Sequence, residues 1–206
     1  MRFSLRCTLL CAGVLAMAAV GQASPLNLGA AGLPNIAADS ITVTYDPSTG
    51  AFIGSGYALN LTQADTPALG IDDGTFLVQL LLSSAGVPSG GLLQIEGSIP
   101  SLGTASGLLL TGNLTDFGFP EAGDEVFEFI FDVTGGDLAD LGVMTGQIDV
   151  VLIAIDSGFS GDFADYTATG FANGGHGMAI AFLPEPATLA LLGAGATLTF
   201  LRRRKR

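Results

Sequence analysis

Between Ser24 and Phe182 the chain has no lysine, no arginine and no cysteine. It contains no tryptophan anywhere, three tyrosines, and a single histidine, His176. Each gap removes a class of chemistry. Without cationic side chains this stretch cannot hold nucleic acid phosphates, so DNA and RNA are excluded as partners. With no body lysine and no Gly-x-x-x-x-Gly-Lys loop, there is no nucleotide-phosphate cradle. Both cysteines, Cys7 and Cys11, precede Ser24, so the rest of the chain has no disulfide, thiol nucleophile or thiolate-held metal. Any serine triad would have to run through His176, which lies in Asn173-Gly174-Gly175-His176-Gly177 with no orienting partner nearby and no nucleophile elbow in the sequence. No catalytic residue is assigned.

What is present is distributed unevenly. The 206 residues carry seven Lys and Arg against nineteen Asp and Glu. Arg2 and Arg6 lie at the start, while Arg202, Arg203, Arg204, Lys205 and Arg206 lie at the end. Of the acidic residues only Glu185 lies beyond Phe182, which leaves eighteen carboxylates, a formal −18, in 24–182. Such a field keeps an apolar, Phe-rich body soluble and separates it from anionic surfaces. Capture of cations is the sharper reading of the same charge.

The N-terminal residues have the three parts of a secretory signal: a basic start, an apolar run from Cys7 to Val20, and Gly21-Gln22-Ala23 ahead of Ser24. The run is short for a membrane span. Cleavage by signal peptidase is expected between Ala23 and Ser24, giving a signal peptide of 1–23 with a helical apolar core.

At the other end Leu183-Pro184-Glu185-Pro186-Ala187-Thr188 precedes an apolar run and then the basic cluster 202–206. Residues 187–201 would make a helix of about 22 Å, short of a hydrocarbon core of about 30 Å. Snorkelling of Arg202 and its neighbours can extend it, and the positive-inside bias holds that end in the cytoplasm. Pro184 and Pro186 stop any helix from continuing upstream and present Glu185 on extended chain. This order of parts resembles the PEP-CTERM sorting signal. The resemblance implies that an exosortase, a membrane-embedded cysteine transpeptidase, recognises Pro184, Glu185 and Pro186 and removes the tail. The protein would then be released or passed to the cell surface or its exopolysaccharide. A membrane anchor that is never processed is the alternative.

Residues 24–182 read as one all-β domain, an antiparallel sandwich or barrel. Strands are expected at 41–45, 51–61, 75–82, 92–97, 108–114, 126–133, 147–155 and 178–182, divided by Gly, Pro, Asn, Asp and Ser. In 126–133, Phe127, Phe129, Phe131 and Val133 share one face, while Glu128 and Asp132 share the other. Asp46-Pro47-Ser48-Thr49-Gly50 reads as a hairpin turn, and 136–144 can form one helical turn. The body also resembles a group of PEP-CTERM proteins through Tyr45-Asp46 to Gly50, Leu109-Leu110-Thr111-Gly112 and Val133-Thr134-Gly135-Gly136.

Two readings of the body's chemistry compete with a non-enzymatic surface or matrix role. One is a glycan- or calcium-binding module. Asp72 and Asp73, and Asp156, Asp162 and Asp165, combine hard oxygen ligands with Gly-permitted bends, although neither group has EF-hand spacing. The same residues are ordinary turn formers. The other is a hydrolase working through a carboxylate pair, for which eighteen acids offer too many choices to name one.

Overall fold

The computed structural model describes residues 24–28, 32–119 and 125–184. The expected signal peptide, the apolar run 187–201 and the basic cluster 202–206 lie outside them. Among the described residues no helix is long and apolar enough to cross a membrane.

The described residues form ten strands: β1 Asn35–Asp46, β2 Ala51–Thr62, β3 Leu69–Gly70, β4 Asp72–Leu82, β5 Pro88–Ser98, β6 Gly107–Gly118, β7 Val126–Gly135, β8 Gln147–Ile153, β9 Phe171–Ala172 and β10 Gly177–Phe182. Eight of them close a ring in the order β1-β2-β4-β5-β6-β7-β8-β10, with β10 returning to β1, and every pairing is antiparallel. Of the two architectures the sequence allows, the structure is the barrel. Its eight ring strands are the eight read from the sequence, seven of them extended at one or both ends and the one read as 147–155 ending earlier, at Ile153. The two-residue strands β3 and β9 are additions, paired only to β2 and β1 respectively. Too short to show a period of two, they exist because a neighbouring strand has backbone groups to satisfy.

The alternation along each strand selects what fills the ring. Phe127, Phe129 and Phe131 of β7 are fully buried, as are Phe52, Phe76, Val78, Leu93, Ile95, Val150 and Leu152 from strands around the ring. Eight strands enclose a space that side chains can just fill. Phe52 accordingly lies 4.9 Å from Phe127 and 6.0 Å from Phe129, centroid to centroid. Burying each such side chain contributes about 1.5–3 kcal/mol.

The ends are closed differently. At one end the connection between β8 and β10 folds over the opening through a 3-10 turn, Phe163–Tyr166, and β9. Phe163 packs 4.9 Å from both Tyr45 and Phe159 and 5.1 Å from Phe119. The Tyr45 hydroxyl is pushed above its ordinary pKa by burial and by neighbouring Asp46. At the other end the helical turn expected in 136–144 is α1, Asp137–Asp140, with Leu138 and Met144 buried beside it. The Asp46–Gly50 hairpin also forms as read. Asp46 accepts from the Ser48 amide at 2.9 Å and hydroxyl at 2.7 Å, which holds its pKa below the usual value, and Gly50 takes φ +71°.

Candidate functional site

The site is the place where the barrel releases its C-terminal segment. On β10 the inward residues are Gly177, Ala179 and Ala181, the exposed outward ones are Met178 and Ile180, and Phe182 is buried. Small inward residues let this strand fit between β1 and β8 against a phenylalanine-filled interior. Phe182 pairs with Asp149 of β8 and with Asn35 of β1. One more bond follows, from the Leu183 N–H to the Pro34 carbonyl at 3.3 Å, and Leu183 packs partly against the core. Pro184 comes next and has no N–H to donate, so the ladder has reached its chemical limit. Of the sorting residues, Pro184 is described, whereas Glu185 and Pro186 are not.

β10 is too short to accompany β1 along its whole length, and a side chain continues its work. After the register shift between Ala38 and Ile41, β10 reaches no further than Ile41. There Asn173, 2% exposed, donates from Nδ2 to the Ile41 carbonyl at 2.9 Å and accepts the Val43 N–H on Oδ1 at 2.8 Å. β9 then takes over at Thr44 and Tyr45. The sequence drew attention to His176 in this loop, but His176 is exposed and Asn173 is the residue with a structural task. The preceding Phe171-Ala172, a short apolar step into a Gly-rich turn, was the only available hint.

The outer wall beside β10 holds the second feature. Glu128 points outward from β7, as the alternation required, yet it is only 8% exposed. Its carboxylate accepts the backbone N–H groups of Leu26 at 2.7 Å, Asn27 at 3.1 Å and Leu28 at 3.0 Å. The described segment 24–28 is thereby fastened to the outside of the barrel as a strap. It passes so close to β6 that a Cβ on Gly118 would lie 2.3 Å from the Ser24 carbonyl oxygen. Asp149, on the neighbouring strand and 7% exposed, has its pKa raised by loss of solvent and then by the charge on Glu128. Glu128 and Asp132 do share the outer face, but Asp132 is exposed while the strap covers Glu128. No local period encodes a contact made across 100 or more residues.

The acidic calcium candidates do not converge. Asp72 and Asp73 are exposed at the start of β4. Asp162 caps the 3-10 turn by accepting the Ala164 N–H at 2.8 Å, and Asp165 accepts the Ser160 hydroxyl at 2.7 Å. Asp156 takes a left-handed φ of +58°. Among the described residues no group of three or more His, Cys, Asp or Glu side chains is placed to hold a metal ion.

Comparison with known proteins agrees with the position of this exit. Residues 183–205 match the family model of the PEP-CTERM protein-sorting motif, beginning at Leu183, the last of the described residues whose N–H bonds to the barrel. No curated protein and no solved structure matches the chain.

Proposed function

Starting from a chain that carries a PEP-CTERM protein-sorting motif, which implies an exported, surface-directed protein processed by an exosortase, we propose that the barrel is the delivered cargo. In this reading it is a non-enzymatic component of the cell surface or extracellular matrix. Signal peptidase frees Ser24, and the exosortase acts at Pro184-Glu185-Pro186 while 187–201 holds the precursor in the membrane. The processed barrel is then released or joined to exopolysaccharide.

The observation that carries this reading is the position of the motif. Every strand of the ring is complete by Phe182, and the motif starts at Leu183. Removal of everything after the motif leaves all eight ring strands and both end closures in place. The seven Lys and Arg of the chain belong to the two segments that would be lost. What would reach the surface is an acidic barrel with a side-chain-filled interior and without thiols.

The test is a fractionation. An epitope inserted between Ala105 and Ser106, both exposed in the connection from β5 to β6, reports on the body without disturbing either end. In cells with the exosortase, a shortened, tagged protein is expected outside the cytoplasmic membrane. In cells lacking it, a longer form is expected in the membrane fraction. A full-length protein that stays in the cytoplasm of both strains would sink the proposal.

A further inference from the structure

One stretch of the outer wall differs from the rest of this acidic surface. The exposed outward side chains of β8 and β10 include Ile153 at 37%, Met178 at 45% and Ile180 at 38%, with Val151 half-buried among them. Met178 is paired with Ile153 and Ile180 with Val151, so they form two adjoining apolar rows. Ala37 of β1 and Val126 of β7 extend these rows on either side. Neither β8 nor β10 has an exposed charged side chain, because Asp149 is buried. The nearest carboxylate on β7, Glu128, is covered by the strap. Exposed carboxylates surround it, as Asp39 on β1, Asp116 on β6, Asp132 on β7 and Asp156 just after β8. Isolated exposed apolar residues are ordinary, but adjoining rows of them mark a contact surface.

One junction with an apolar end lies on this same wall, and the other lies over β6 beside it. The C-terminal one leaves β10 itself. Only Pro184, Glu185 and Pro186 separate Leu183, still bonded to β1's side of the barrel, from the apolar run that begins at Ala187. Three residues span at most about 10 Å. The N-terminal junction, Ser24, lies over Gly118 of β6, three strands along the ring from β10. Ser24 is near the far end of β6, whereas Leu183 follows the opposite end of the barrel. Once signal peptidase has freed Ser24, the short C-terminal tether alone holds the barrel beside the bilayer.

We propose that the exposed apolar rows of β8 and β10 form a lipid-facing wall, on which the barrel rests in the membrane-bound precursor until the tail is removed. This deepens the sorting proposal and depends on insertion of 187–201. A short tether holds the wall at high effective concentration beside the bilayer, so a modest apolar contact is enough. Contact through any strongly acidic wall would set carboxylates against anionic headgroups. A second copy of the chain is disfavoured as the occupant, since each body has eighteen carboxylates and no Lys or Arg.

The experiment uses the full chain with Cys7→Ser and Cys11→Ser, reconstituted into vesicles of phosphatidylethanolamine and phosphatidylglycerol. Environment-sensitive fluorophores are placed singly through Ile153→Cys, Met178→Cys or Ile180→Cys. The control is Leu81→Cys, on the opposite wall and 51% exposed. In chains that float with the vesicles, brominated lipids should quench the first three several-fold more than the control. Adding Ile180→Glu should bring the probe at position 178 towards the control while flotation is retained. Equal quenching in floating chains would overturn the lipid-facing wall and leave the tail anchor intact. Chains that do not float would overturn both ideas. Cross-linking between two chains at position 180, without lipid quenching, would assign the wall to a second copy and so refute the proposal.

Discussion

The two faces of β7 follow different rules. Inward, Phe127, Phe129 and Phe131 are fully buried, and Phe127 and Phe129 pack against Phe52 of β2. Outward, Glu128 and Asp132 are chemically similar and four positions apart, yet the first is fastened beneath the N-terminal strap and the second is exposed. The inner face is a property of the strand, whereas the outer face is a property of what the rest of the chain lays across it. A carboxylate's position in the sequence therefore says little about its energetic role here.

The largest effect expected from breaking this contrast is on the inner face. Phe127→Ala should destabilise the barrel by about 3–5 kcal/mol, the usual range for deleting a buried aromatic ring, measured by urea unfolding. A loss below 1 kcal/mol, on the same scale, would mean the aromatic interior is not the main source of stability.

On the outer face, Glu128→Gln and Asp132→Asn form a matched pair. Three backbone donors converge on the Glu128 carboxylate, and hydrogen bonds to a charged group contribute about 1.5–3 kcal/mol. Glu128→Gln should therefore cost roughly that much and expose the amides of 26–28 to hydrogen exchange. Asp132→Asn should stay within about 0.5 kcal/mol, as surface substitutions do. Equal costs for the two would erase the distinction between them.

The smallest effect concerns Asp149. Its folded-state pKa is raised by burial and by Glu128, so folding favours the protonated form. The resulting stability is fully present below the ordinary Asp value and is lost as pH rises through the raised one. Asp149→Asn removes that loss. Its melting temperature should exceed the parent's at neutral pH, and the gap should close as pH falls through the ordinary carboxylate range. A gap that widened on acidification would show that the carboxylate is stabilised in its charged form.

Much of the fold was legible because the strands announce themselves with a period of two and their turns with Gly, Pro and Asp. The eight ring strands and the Asp46–Gly50 hairpin are examples. Choosing barrel over sandwich was not legible, since both bury the same alternating face and differ only in whether β10 returns to β1. Asn173 escaped notice for a related reason. Its importance comes from the shortness of β10 beside a longer β1, a mismatch that exists only after closure.

The sequence by itself determined the route, because the sorting motif is a contiguous peptide whose order of proline, apolar and basic parts can be read without folding. It also determined which side chains go inside. The tertiary structure alone decided which carboxylates are hidden and how β1 is completed. Those outcomes depend on contacts between residues far apart in sequence, fixed when an antiparallel ring closes and a strap crosses it.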